Sequence, residues 1–113
     1  MKVLIVEDNE QLQRMYVRFF KREGMEVSAF SHAEHALKAV EDGLLPEIVI
    51  SDNDLEGDMR GEELTGILAG KLVGARILLV SGRPQDSLHI KPGVQFIGKP
   101  IDLRHLMKEI KNV

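Results

Sequence analysis

Residues 48–58 read IVISDNDLEGD, a short apolar run that leads directly into a cluster of acidic side chains. The run is rich in β-branched residues and lies between Pro46 and Gly57, a pattern typical of a buried β-strand. Asp52 is therefore predicted at the point where this strand leaves the sheet. The four acids of residues 52–58 repel one another and resist burial, so they need open water or a cation to be stable.

The composition indicates one folded domain with no membrane-spanning segment and no thiol chemistry. The chain has 113 residues, of which 43% are hydrophobic and 29% charged, and no apolar run approaches the roughly 20 residues that span a bilayer. The first residues lack the apolar core and cleavage site of a signal peptide, so we expect a cytoplasmic protein. The absence of cysteine excludes disulfides, zinc-thiolate sites and thiol catalysis. We expect a single domain over residues 1–113.

Charge is unevenly distributed along the chain. Residues 1–64 carry 7 Lys/Arg against 15 Asp/Glu, a net charge of −8, and residues 65–113 carry 8 against 3, a net charge of +5, which together give −3. The acidic excess is what a cation site needs. The basic excess could form a partner surface, although solvated helix faces are the simpler interpretation.

Strand and helix patterns alternate along the whole chain. An alternating polar and apolar pattern predicts one edge strand, and continuous apolar runs predict the others. The predicted strands are residues 3–6, 26–30, 48–51, 76–80 and 94–98. Amphipathic segments between them favour right-handed βαβ units around a parallel, doubly wound five-stranded sheet of the α/β class.

Helix starts are marked by capping residues. Asn9 and Asp102 are predicted N-caps of the first and last helices, and Ser31 with Glu34 three residues later matches a capping box for the second helix.

The third and fourth helical segments are weaker. The third is predicted from Gly61 to Val73 and contains Gly66 and Gly70, each of which costs about 1 kcal/mol relative to alanine, so packing must hold it. The fourth lies between two prolines in the connection from strand four to strand five, and has room for one or two turns at most.

Polar side chains follow four of the predicted strands. Parallel strands bring their carboxyl ends to one edge of the sheet, where ligands bind. Carboxylates there are the hard oxygen ligands that Mg²⁺ prefers, and a lysine with a hydroxyl suits an incoming phosphoryl group. A carboxylate can also attack phosphorus, and Asp52 is placed to do so. The side chains are Glu7, Asp8, Asp52, Ser81 and Lys99, with Asp54 close by.

Five sequence pieces occur in a characteristic order. They are VLIVEDN (3–9), Asp52, GEEL (61–64), VSG (80–82) and FIGKP (96–100). Together they resemble the receiver domain of bacterial two-component response regulators over essentially the whole chain. The resemblance implies a flavodoxin-like sheet in strand order 2-1-3-4-5, here with a shortened fourth helix.

The resemblance also implies a chemistry for these residues. Asp52 would accept a phosphoryl group from a phosphohistidine on a sensor histidine kinase or a histidine phosphotransfer protein. Mg²⁺, or Mn²⁺, would be held by Asp8, Asp52 and the backbone carbonyl of Asp54, with Glu7 acting largely through metal-bound water. Lys99 would neutralise the phosphoryl oxygens.

A conformational switch follows from the same resemblance. Ser81 would bond one phosphoryl oxygen and leave space into which the ring of Phe96 turns, changing a partner-binding surface. A cis Lys99-Pro100 bond is implied. Such a domain is not an enzyme in the usual sense, because it catalyses only its own phosphorylation and dephosphorylation. Its partners would be the kinase, an output protein or domain and, in a homodimer, a second copy, with no nucleic acid and no membrane insertion.

The sequence departs from the receiver pattern at the pocket rim. Glu56 and Gly57 stand where receivers usually have a proline-containing turn. Asp54 and Arg83 flank opposite sides of the pocket, and we expect them to pair and to shield the phosphoryl group from attacking water. The shortened fourth helix also leaves the usual output surface incomplete.

Two other functions fit part of the sequence. Asp52-Asn53-Asp54 after a strand is similar to the nucleophile and acid of the haloacid-dehalogenase-like phosphohydrolases, with Ser81 and Lys99 in the same order. The further acidic pair of those enzymes is missing downstream, and the chain is short for their core and cap. A degenerate receiver that acts only as a protein-interaction module is the other alternative.

Overall fold

Strands and helices alternate along residues 1–111, the part of the chain that the computed structural model describes. The last two residues of the predicted domain lie outside it. The strands are β1 (Lys2–Val6), β2 (Glu26–Phe30), β3 (Ile48–Asp52), β4 (Arg76–Ser81) and β5 (Val94–Gly98). The helices are α1 (Glu10–Arg22), α2 (Ala33–Glu41), α3 (Gly61–Lys71) and α4 (Leu103–Lys111).

The five strands form one parallel sheet in the order β2-β1-β3-β4-β5, which confirms the predicted class and strand order. Side chains of successive residues point to opposite faces of a strand, and both faces of β1 are covered. Val3 and Ile5 belong to an apolar cluster with residues of α1 and α4, whereas Leu4 and Val6 belong to a second cluster with residues of α2 and α3. Burial on both faces is why β1 and β3 are continuous apolar runs.

The first and last helices begin as predicted. Asn9 caps α1, its side-chain oxygen accepting a hydrogen bond from the backbone N–H of Leu12 at 3.0 Å. Asp102 precedes α4, and its Oδ1 accepts from the N–H groups of Arg104 and His105 at 3.0 and 3.1 Å.

The capping box predicted for α2 is wrong. The N-cap is His32 rather than Ser31, and the His32 side chain makes no capping hydrogen bond to the described residues. The carboxylate of Glu34 does not turn back to the start of the helix, because its Oε1 accepts a hydrogen bond from the backbone N–H of Met59 in another loop, at 3.2 Å.

Helix α3 begins at Gly61 as predicted but takes its cap from Asn53, the residue that follows β3. In the described part of the chain, the side chain of Arg60, the residue before the helix, makes no capping hydrogen bond. The backbone oxygen of Asn53 accepts from Gly61 N–H and its Oδ1 accepts from Glu62 N–H, both at 3.0 Å. A Cβ on Gly61 would lie 2.1 Å from the carbonyl oxygen of Asp52, so the helix rests directly on the end of the strand.

The C-terminal end of α3 differs from the prediction. The helix ends at Lys71, and Val73, which the apolar pattern included in it, is 92% exposed. The pattern counted an apolar residue of the following turn as part of the helical stripe.

The connection from β4 to β5 contains one short 3₁₀ turn, Gln85–Ser87, in agreement with the predicted shortening. This connection packs on α3: His89 N–H donates to Glu62 Oε2 at 2.7 Å, and Lys91 covers Gly66 so closely that a Cβ there would lie 2.6 Å from Lys91 Cγ. The cis peptide bond implied before Pro100 is present. Of the helices in residues 1–111, none is long and apolar enough to cross a membrane.

Candidate functional site

The carboxyl ends of β1, β3, β4 and β5 bring the predicted polar side chains to one edge of the sheet. An oxygen from each of Glu7, Asp8 and Asp52 lies within 4.8 Å of the others. The ammonium group of Lys99 lies 3.0 Å from Asp52 Oδ1. Ser81 is buried beside them, and its carbonyl oxygen accepts from Lys99 N–H at 2.9 Å, so the backbone itself fixes the spacing between β4 and β5.

Two of the carboxylates are buried with oxygens that no hydrogen bond satisfies. Glu7 is 2% exposed and Asp52 is 7% exposed, and no donor within residues 1–111 meets hydrogen-bond geometry at Glu7 Oε1 or Asp52 Oδ1. Lys99 contacts Asp52 Oδ1 as an ion pair, although the two groups do not meet hydrogen-bond geometry. Buried carboxylate oxygens need a hydrogen-bond donor or a cation to stabilise them. Three clustered carboxylates offer the hard oxygen ligands that Mg²⁺ binds together with water. The residues present therefore fit a small divalent cation.

Burial changes the proton affinity of these groups. Burial raises the pKa of Glu7 to about 7, opposed by the N–H of Asn9 and reinforced by the negative charge of Asp52. Burial also raises the pKa of Asp52, although Lys99 acts in the opposite direction. Burial alone would lower the pKa of Lys99, but Asp52 and Glu7 outweigh it and the net direction is upward, so Lys99 is positively charged at neutral pH.

A pH dependence of stability follows from Glu7. Its pKa is about 7 in the folded chain and 4.5 as the ordinary value, so protonated Glu7 contributes stability that is complete below about 4.5 and is lost as pH rises through about 7. Without divalent cations at pH 8, Glu7→Gln is expected to be more stable than the wild type by about 2 kcal/mol. Urea unfolding with chelator at pH 6 and 8 measures this difference.

The control for this prediction is Glu26→Gln, which makes the same chemical change at an exposed residue of β2. The control should keep the wild-type dependence of stability on pH. If Glu7→Gln and the wild type lost the same stability between pH 6 and 8, the buried carboxyl group would not be its source.

The rim of the pocket carries a network of charges around Asp54. Arg83 Nε lies 3.1 Å from Asp54 Oδ1, and Arg83 Nη2 lies 3.0 Å from the same oxygen, so the predicted contact is present. Arg60 also donates to Asp54 Oδ1. Sequence reasoning missed Arg60, although it is the only basic residue between positions 39 and 70 and lies in the acidic loop.

The two residues of the predicted switch lie on neighbouring strands. Ser81 Oγ accepts a hydrogen bond from Arg83 N–H at 3.0 Å, so in this state the hydroxyl is turned towards the turn that follows β4. Phe96 is half-buried in β5, and its ring lies beside Gly98, where a Cβ would be 3.7 Å from Phe96 Cε2.

The fold and this site occur together in a known family. The model of the response regulator receiver domain matches residues 3–111. The chain belongs to the response regulator receiver domain family. Receiver domains are signalling phosphoacceptor domains of two-component systems rather than classical enzymes, and they interact with histidine kinases and output domains.

Solved receiver structures superpose closely on the chain. The receiver domain of the hybrid histidine kinase CckA has 29% identity and a TM-score of 0.80, over 99% of this chain and 97% of that one. A CheY-like receiver domain from Methanospirillum hungatei JF-1 has 25% identity and a TM-score of 0.87, over 98% and 90%.

A third receiver structure shares the fold at lower identity. The response regulator TrrA of Thermotoga maritima, solved in complex with Mg²⁺-BeF, has 23% identity and a TM-score of 0.82, over 98% and 96%. A search among curated proteins found no match.

Proposed function

We propose that this receiver domain accepts a phosphoryl group on Asp52 from the phosphohistidine of a sensor histidine kinase or histidine phosphotransfer protein. The observation that carries the proposal is a buried Asp52 carboxylate at the end of β3, with two further carboxylates and the Lys99 ammonium around it. A carboxylate oxygen of Asp52 bonds to phosphorus while the bond from phosphorus to the histidine nitrogen breaks. The products are an acyl phosphate on Asp52 and a donor histidine with its imidazole restored.

We assign the cation site to Asp8, Asp52 and the backbone carbonyl of Asp54, with Glu7 acting through metal-bound water. Mg²⁺, or Mn²⁺ in its place, supplies positive charge to the phosphoryl oxygens. The buried Oε1 of Glu7, which accepts no hydrogen bond from the described residues, supports this assignment, as does the Mg²⁺-BeF complex of TrrA. Lys99 would provide further positive charge to the phosphoryl oxygens.

The proposed switch uses Ser81 and Phe96. Ser81 Oγ accepts from Arg83 N–H, so its own proton is available to donate to a phosphoryl oxygen. Rotation of Ser81 towards Asp52 frees space beside β5, and the ring of Phe96 turns into it. The surface that changes then includes β5 and the short connection before it, where we place the contact with an output protein or domain, or with a second copy.

A small acyl-phosphate donor tests the proposal without the natural kinase. Intact-mass measurement after incubation with acetyl phosphate and Mg²⁺ should show one added phosphoryl group, and chelator should prevent it. Tyr16 is the only tyrosine of a chain without tryptophan, and burial, reinforced by the negative charges of Glu7 and Asp52, raises its pKa to about 12. Its fluorescence should therefore report cation binding and phosphorylation.

The same experiment separates the alternatives. No adduct under any condition would favour a protein-interaction module. Continued release of phosphate from many phosphate esters, with multiple turnovers, would favour a phosphohydrolase.

Arg83 is expected to slow the loss of the phosphoryl group. Asp54 binds the guanidinium group of Arg83 at the pocket rim. In that position the guanidinium group limits the approach of the water that would attack the phosphoryl group. In Arg83→Ala the phosphorylated protein should hydrolyse about fivefold faster, which corresponds to a barrier lower by about 1 kcal/mol. The decay of the adduct after removal of the donor measures the rate. Arg18→Ala, at an exposed position of α1, should decay like the wild type, and an unchanged rate in Arg83→Ala would refute the shielding role.

A further inference from the structure

The loop between β3 and α3 carries one of the proposed cation ligands but has little to stiffen its backbone. Residues 53–60 contain no proline, and Gly57 adopts a φ of +101°. Among residues 54–60 only Leu55 is buried in the core. A loop of this composition does not hold a fixed conformation by itself, so its order must come from contacts with other elements.

Three such contacts hold the loop on the side of α2 and β1. Asp8 Oδ2 accepts a hydrogen bond from Glu56 N–H at 3.2 Å. Glu56 also pairs with His32, the residue before α2, in an isolated parallel β-bridge. Glu34 Oε1 accepts from Met59 N–H at 3.2 Å. The two anchored amides, those of Glu56 and Met59, therefore lie on either side of Gly57, the residue of the loop with the greatest conformational freedom.

The carboxylate of Glu34 also covers Gly57 directly. A Cβ on Gly57 would lie 2.8 Å from Glu34 Oε2 and 3.3 Å from Glu34 Oε1. One oxygen thus fixes Met59 while the other closes the space above Gly57. Glu34 is the acid that the sequence assigned to a capping box, and the structure gives its carboxylate to this loop instead of to its own helix.

We infer that Glu34 is a positioning residue for the cation site, holding the loop so that the backbone carbonyl of Asp54 and the carboxylate of Asp8 keep their places. The inference rests on the proposed cation site. Without Glu34, Asp8 is the only side chain of the described residues that accepts a hydrogen bond from an amide of residues 56–59. Asp8 would then serve both as a cation ligand and as the one remaining acceptor for this backbone.

If Glu34 positions the loop, its loss should change the affinities for Mg²⁺ and Ca²⁺ by different factors. Mg²⁺ requires near-ideal octahedral geometry at short distances, whereas Ca²⁺ accepts variable geometry and longer distances. Loosening the loop should therefore weaken Mg²⁺ binding more than Ca²⁺ binding. A residue that contributed only to overall stability would leave the ratio of the two affinities unchanged.

Titrations of the full chain with Mg²⁺ and with Ca²⁺, followed by Tyr16 fluorescence and by calorimetry, test the inference. Glu34→Ala should bind Mg²⁺ about tenfold more weakly, with a smaller change for Ca²⁺. Glu34→Gln keeps an acceptor for Met59 N–H and should stay within about twofold of the wild type. Glu41→Ala removes an exposed acid from the other end of α2 and should behave as the wild type.

Hydrogen exchange without cations gives an independent measurement. The Met59 amide should exchange faster in Glu34→Ala than in the wild type and Glu34→Gln, while amides of β1 stay protected. An unchanged ratio of Mg²⁺ to Ca²⁺ affinity in Glu34→Ala would overturn the positioning role, and so would a Gln variant as weak as the Ala variant. A wild type that binds no Mg²⁺ would instead overturn the proposed cation site itself.

Discussion

Asp52→Asn is expected to take up no phosphoryl group from acetyl phosphate and Mg²⁺ under conditions in which the wild type takes up one. The substitution preserves the size of the side chain, but an amide lacks the negative oxygen that attacks phosphorus. It also removes one of the three clustered carboxylates, so binding of Mg²⁺ should weaken at the same time. Intact-mass measurement and the fluorescence of Tyr16 follow the two effects separately.

The matched control is Asp58→Asn. Asp58 belongs to the same acidic loop and undergoes the same chemical change, but it is exposed and lies outside the carboxylate cluster. It should be phosphorylated like the wild type. An adduct of undiminished yield on Asp52→Asn would assign the phosphoryl group to another residue and would remove the basis of the proposed function.

Gly61→Ala should lower the free energy of unfolding by about 3 kcal/mol or more. The new methyl group would lie 2.1 Å from the carbonyl oxygen of Asp52 and 2.7 Å from Asn53 Cα, which are backbone atoms that cannot rotate away. Either α3 must move off the end of β3 or the strand must distort, and overpacking of this kind costs about 1–3 kcal/mol even where side chains can adjust. Equilibrium unfolding in urea measures the change.

Gly70→Ala is the control within the same helix. Apart from its own helix backbone and chain neighbours, a Cβ at Gly70 meets no atom of the described residues within 4 Å, so alanine there should raise stability by up to about 1 kcal/mol through its better helix propensity. The two substitutions are therefore expected to have opposite signs. Equal effects would show that propensity, and not the close approach to Asp52, decides the role of Gly61.

The sheet and most of the pocket could be predicted because both depend on short-range patterns. Apolar runs of the right length predicted strands, and a parallel sheet necessarily brings residues such as Asp52 and Lys99 to one edge. The N-caps Asn9 and Asp102 were correct for the same reason, since a cap and its helix are adjacent in sequence.

Contacts between distant segments could not be predicted in this way. Glu34 matched a local capping pattern, but the amide it binds lies 25 residues further along, and nothing near Glu34 in the sequence indicates that partner. The cap of α3 likewise comes from Asn53, nine residues before the Glu62 amide that it binds. Arg60 could have been suspected from its isolation among acids, but its partner required the folded loop.

Asn53 has a consequence for the order in which the chain folds. Its N–H donates to Val80 of β4, while its two oxygens receive the first amides of α3, so one residue joins two strands and a helix. Until β3 has paired with β4, the start of α3 lacks a fixed cap, and its glycines favour the coil. We therefore expect α3 to form after the central strands have paired, with β3 part of the folding nucleus and α3 a late addition to it.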